Sequence, residues 1–189
     1  GISQDFLFMR LLQAAFSTAS CLLCYCIASE AIREYSGLHR EAGLVSGLLM
    51  AVNPRMVVYT NHLYVETIFI SLYLLIVHTG LRHAKNRISA KASQRKGFTA
   101  LLPLILYSVL LGLGNLTRPV LLLLPGAAII FLLLFSTAKG LGPYSAARLA
   151  LTDTLLSLLL MLVVLSPWII RNHNVTGRLI LIDTNGPIN

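Results

Sequence analysis

Glu66 is the residue of this 189-residue chain whose type and setting most clearly ask for chemistry. It stands just inside a long apolar run, where a carboxylate is costly unless it faces a cavity or a partner. The segment before it reads Asn53-Pro54-Arg55-Met56-Val57-Val58-Tyr59-Thr60-Asn61-His62-Leu63-Tyr64-Val65. Pro54 removes a backbone donor and predicts a broken or kinked helix. Tyr59 and Tyr64 suit a water–membrane boundary. His62 reads as a boundary residue sooner than as a ligand. A carboxylate beside such a break can orient a hydroxyl or exchange a proton with it. The plainer reading is a Glu at a helix N-terminus, held by the positive end of the helix dipole.

Two cations occupy similar settings. Arg118 closes Gly112-Leu113-Gly114-Asn115-Leu116-Thr117-Arg118-Pro119, a tight turn between two apolar runs. Arg171 follows Trp168 in Ser166-Pro167-Trp168-Ile169-Ile170-Arg171-Asn172-His173. A guanidinium fork matches the oxygens of a phosphate. The plainer readings are an Arg118 that snorkels to headgroups and a Trp168–Arg171 interfacial anchor. Glu66 is thus the candidate catalytic residue, and Arg118, Arg171, Asn172, His62 and Tyr59 are candidates for substrate binding. Cys21, Cys24 and Cys26 include a Cys-x-x-Cys spacing. They lie in one apolar block with no ligand set at zinc spacing elsewhere, so they read as small packing residues.

The elements that must position these residues are membrane helices. Hydrophobic residues make up 56% of the chain and charged residues only 12%. Leu11 to Ser29, Phe98 to Thr117, Pro119 to Ala138 and Thr154 to Ile170 carry no charge over 19, 20, 20 and 17 residues. A helix needs about 20 apolar residues to cross the hydrocarbon core, and helices pair every backbone group internally. The expected fold is therefore all-α, a polytopic transmembrane bundle of five or six spans. Those spans fall near 9–30, 42–60, 63–81, 98–116, 119–137 and 150–168. The lower number applies if the second and third form a broken pair. Gly43 and Gly47 form a small-xxx-small pair that would let another helix approach the second span. Residues 1–168 form the transmembrane region and 169–189 begin an extracytoplasmic segment. There Gly177 to Gly186 reads as a short β-like strand and turn.

A net charge of +8 would suggest nucleic acid in a soluble protein. Its placement argues instead for membrane orientation and against a nucleic-acid partner. Arg82 to Lys96 holds six basic residues and no acid, the mark of a cytoplasmic loop. Counting crossings from that loop puts Arg33, Arg40, Lys139 and Arg148 on the cytoplasmic side as well. Asn53 to Glu66, Asn115 to Pro119 and Pro167 to Asn189 then fall together on the outer face. The chain starts at Gly1 without a signal-peptide pattern and stops in a turn-like sequence. It reads as an internal piece of a longer protein.

Taken together, these three segments resemble bacterial C-type (GT-C) membrane glycosyltransferases, the group related to protein O-mannosyltransferases and aminoarabinose transferases. The likeness rests on Pro54 followed by Glu66, on Leu116-Thr117-Arg118-Pro119, and on Pro167-Trp168-Ile169-Ile170-Arg171-Asn172 followed by Gly177 and Thr184-Asn185-Gly186. It runs from about Arg10 to Asn189. It implies transfer of a sugar from a polyprenyl-phosphate carrier to a glycan, lipid or protein acceptor on the outer face of the cytoplasmic (inner) membrane. The family's principal catalytic acid lies in its first outer loop, which would precede this chain, and Asp5 does not match its motif. Glu66 resembles a second acidic position of the family, and Arg118 and Arg171 resemble its basic positions. No cofactor is called for, and a divalent metal stays open. The rival readings are a transporter or flippase of a lipid-linked or anionic solute and a noncatalytic membrane subunit.

Overall fold

The computed structural model describes residues 4–33, 36–61, 65–92, 101–138, 140, 142–179 and 181. Among them every regular element is helical. In chain order these are α1 (Gln4–Ile32), α2 (His39–Ala51), α3 (Pro54–Asn61), α4 (Val65–Ala92), α5 (Leu102–Thr117), a 3-10 turn (Pro119–Leu123), α6 (Leu124–Ala138) and α7 (Pro143–Thr176).

Burial in this chain runs opposite to that of a soluble protein. Leu44, Leu48 and Leu49 of α2 and Leu155, Leu159 and Val163 of α7 are exposed. Ser20, Thr67, Ser108 and Asn115 are among the most completely buried side chains. Water would reject so large an apolar surface, whereas lipid accepts it and leaves the polar groups to pair between helices. Three helices are long and apolar enough to cross a membrane: α1, α4 and α7. The pair α2 and α3, bent by 55°, makes a fourth if it is one broken span. That pattern identifies a helical membrane protein with three to four candidate spans.

The expected five or six spans and the β-like tail meet a coarser picture. α5 has 16 residues, and α6 is preceded by a 3-10 turn, so neither is a long continuous helix. The cause is local, because Pro119 interrupts the run and Arg118 before it is extended. The third span does not stop at 81. α4 continues to Ala92, so the first part of the basic segment is helix rather than loop. Ala, Lys and Arg are good helix formers, and this stretch is also tied down by contacts described below. α7 likewise runs through Trp168 to Thr176, past the expected boundary at 168/169. Gly177 ends it at φ 67° and donates to the His173 carbonyl at 2.8 Å. No strand occurs among the described residues of the tail, and 182–189 lie outside them.

Contacts divide the chain into two units, 1–81 and 82–189. In the first, Gly43 and Gly47 do meet a helix, as their spacing predicts. A methyl group on Gly43 would run into the Tyr25 ring of α1, and one on Gly47 would lie 3.2 Å from the Cys21 carbonyl. Ser20 of α1 and Ser71 of α4 share a buried hydrogen bond at 2.8 Å, and Ser71 Oγ also lies 2.9 Å from the Phe16 carbonyl. In the second unit, Gly112 lets α5 approach α7, since a methyl there would lie 2.8 Å from Val164. Buried Asn115 donates through Nδ2 to the Leu111 carbonyl at 2.8 Å, with Met161 Sδ at 3.5 Å. Pro167 leaves the Val163 carbonyl of α7 without its usual N–H. The Ser166 hydroxyl donates to that carbonyl at 2.8 Å, which is how a proline is accommodated inside a membrane helix.

Candidate functional site

The expected site residues stand where helices begin, break or end. Asn53 caps α3, its Oδ1 accepting the Arg55 N–H at 3.0 Å, with Pro54 as first helical residue. The break predicted at Pro54 is therefore built by an Asn–Pro pair. Arg55 is exposed and Tyr59 is half-buried. His62 lies outside the described residues. Glu66 sits in the first turn of α4 and is half-buried. The turn places its carboxylate at the positive end of the helix dipole.

Arg118 is exposed at an extended residue, φ −150° and ψ 124°, between α5 and the 3-10 turn. Its N–H closes α5 on the Gly114 carbonyl at 3.0 Å. Arg171 is exposed near the end of α7, its guanidinium 5.5 Å from the Trp168 ring centroid. That cation–π contact supports an anchoring role for the pair. Asn172 is half-buried, and its carbonyl accepts the Thr176 hydroxyl at 2.7 Å. Glu66 belongs to the first unit, and Arg118, Arg171 and Asn172 to the second.

The most tightly assembled polar group in the second unit was not anticipated. Asp153 of α7 is 3% exposed. Arg87 of α4 binds it with a two-point fork, Nη2 to Oδ1 at 2.7 Å and Nε to Oδ2 at 2.9 Å. His83, one turn earlier on α4, places Nε2 2.9 Å from Oδ2. Positions 83 and 87 share a helix face, so one carboxylate takes both. Ala84 and Ala150 pack beside the cluster with Leu132 of α6, and their small side chains let α4 and α7 come close. The fork cancels the charge of the acid, so the cluster is neutral apart from any proton added to the ring. A donor at Nε2 makes Nδ1 the acceptor of a neutral imidazole, and Nδ1 is buried without a partner.

One sequence signal pointed to this cluster. Asp153 is the only acid between Pro143 and Thr176, and an ionisable residue in an apolar helix merits a functional hypothesis by default. The uncharged block itself begins only at Thr154, one residue after it. Among the described residues, no group of three His, Cys, Asp or Glu side chains comes together as metal ligands would. No family model, curated protein or solved structure matches this chain.

Proposed function

We propose that this chain is part of a membrane glycosyltransferase that moves a sugar from a polyprenyl-phosphate carrier to an acceptor at the outer surface of the cytoplasmic membrane. The observation that carries the reading is the position of the charged candidates. Glu66, Arg118 and Arg171 each stand at one end of an apolar helix and are exposed or half-buried. Sugar transfer from a lipid phosphate needs a base for the acceptor hydroxyl. It also needs fixed positive charge where the phosphate departs. In this reading Arg118 and Arg171 hold the phosphate, Glu66 orients the acceptor or the sugar, and Asn172, His62 and Tyr59 line the substrate.

The reading includes six crossings. α5 and the helical run Pro119 to Ala138 count as two of them, short helices that a bilayer accommodates by thinning locally. Crossing by crossing, the start of α4 and the ends of α5 and α7 then face the same side, opposite the basic segment 82–96. A cysteine put in place of Lys91, in a protein whose native cysteines are serine, is expected to react with an impermeant thiol reagent only from the cytoplasmic side. Labelling from outside intact cells would reverse the orientation.

The functional test uses Arg118→Lys and Arg171→Lys. Lysine keeps the charge and can still snorkel, but lacks the planar fork. Each variant is expected to bind the lipid-phosphate sugar roughly tenfold more weakly, the scale of one charged hydrogen bond. Unchanged binding and turnover in both would leave these arginines as anchors only. A second reading, transport of a lipid-linked or anionic solute, is favoured by the buried Asp153 cluster, because transporters keep ionisable groups inside the membrane. Solute flux into liposomes that is lost in Asp153→Asn, without sugar transfer in the parent protein, would select it.

A further inference from the structure

Glu66 is the second residue of α4, so the direction of its carboxylate follows from how the first turns of α4 are set about their axis. Two buried side chains of the first unit mark the face that is held. Thr67 is 0% exposed and Ser71, one turn further on, is 5% exposed. Residues four apart share a helix face. Glu66 stands about 100° round the axis from Thr67 and about 140° from Ser71. The held face thus leaves the carboxylate to one side, where the residue is half-buried.

What holds that face is α1. Ser20 of α1 is 0% exposed, and its Oγ lies 2.8 Å from Ser71 Oγ. Ser71 Oγ also lies 2.9 Å from the Phe16 carbonyl of α1 and 2.9 Å from the Thr67 carbonyl of its own helix. Ser20 Oγ lies 3.0 Å from the Phe16 carbonyl. The two hydroxyls have one proton each to donate. If Ser20 donates to Ser71, Ser71 donates to one of the two carbonyls. If Ser71 donates to Ser20, Ser20 donates to the Phe16 carbonyl. Both arrangements use both protons, and both carry a hydrogen bond from α1 to α4. Membrane helices have no hydrophobic drive towards one another, so packing alone leaves rotation loose and a directional hydrogen bond sets it. A turn of α4 by about 10° carries a carboxylate at the helix perimeter through about 1 Å. A misplacement of about 1 Å can cost on the order of a hundredfold in rate.

We propose that Ser20 and Ser71 are positioning residues for sugar transfer: their hydroxyl pair fixes the rotation of α4 on α1 and thereby aims the Glu66 carboxylate. The inference rests on the reading of Glu66 as part of the transfer site. The test is a kinetic cycle in which Ser71→Ala and Ser20→Ala are each made in the parent protein and in Glu66→Gln, with kcat expressed per folded molecule. In the parent, each alanine variant is expected to lower kcat roughly tenfold. The two together should be no worse than either, since one shared bond is lost only once. In Glu66→Gln neither should lower kcat further, because the group they aim is gone. A drop of equal size in both backgrounds would overturn the proposal and leave the serines as packing residues. Parent-like kcat in both alanine variants, beside an impaired Glu66→Gln, would overturn it too and leave the transfer reading standing. Parent-like kcat in Glu66→Gln, or no sugar transfer by the parent, would remove that reading and the proposal with it. If Ser71→Ala fails to insert, Ser20→Ala decides the outcome in the same two backgrounds.

Discussion

Glu66→Gln is expected to insert and fold normally and to transfer little sugar. Glutamine keeps the size of the side chain and its hydrogen-bonding atoms but removes the charge. A cap in the first turn of α4 would tolerate that change, since the dipole contribution of an acid in a helix's first turn is typically about 0.3–1 kcal/mol. A carboxylate that orients a hydroxyl or balances a bound cation would not. Loss of a general acid–base group commonly costs a hundredfold or more, and a fall of roughly that size is expected in turnover. A fall of about tenfold would fit a positioning role, with another group acting as the base. The measurement is sugar transfer by membranes containing equal amounts of parent and variant, with melting temperature as the control for folding. Normal turnover by a well-folded Glu66→Gln protein would return the residue to capping and remove the only acid here assigned to the reaction.

Asp153→Asn should be the most destabilising single change of charge in the second unit. It leaves the Arg87 guanidinium against a buried amide that cannot accept both arms of the fork, and it takes the ionic acceptor from His83. Removing one partner of a buried ion pair typically costs about 3–5 kcal/mol, because the other charge stays desolvated. Arg87 is 28% exposed and can turn partly towards solvent, so the lower end, about 3 kcal/mol, is the expectation. In detergent this corresponds to a fall in melting temperature of roughly 10 °C. Adding Arg87→Gln should restore part of the loss, since the two sites touch and their effects do not add. An Asp153→Asn protein that melts with the parent would mean that the cluster contributes nothing to holding α4 on α7. Turnover can be read in the same samples. A transferase whose chemistry lies at the other helix ends should lose stability here before it loses rate per folded molecule.

The membrane character of this chain is fixed by local sequence, because a bilayer selects on runs of about 20 apolar residues and needs no distant contact to do so. The break before α3 is equally local: Asn53 supplies a cap and Pro54 denies a donor, whatever lies around them. The close approach of α1 to α2 was readable from Gly43 and Gly47, since small residues four apart make a groove. Helix ends were less readable. The positive charge of 82–96 suggested a loop, yet α4 continues to Ala92, because basic residues are compatible with a helix. α7 passes straight through Pro167, because Ser166 serves the carbonyl that the proline abandons.

Only the tertiary structure could decide the role of Asp153. Its partners His83 and Arg87 lie 70 and 66 positions away, and nothing in the spacing of residues along a chain encodes a contact at that separation. The sequence offers His83 and Arg87 as part of a basic stretch and Asp153 as a lone acid in an apolar helix. The packing of α4 on α7 turns them into one neutral group, because a buried carboxylate without a cation would cost more than the contact returns. Charge and its count belong to the sequence; which charges cancel belongs to the fold.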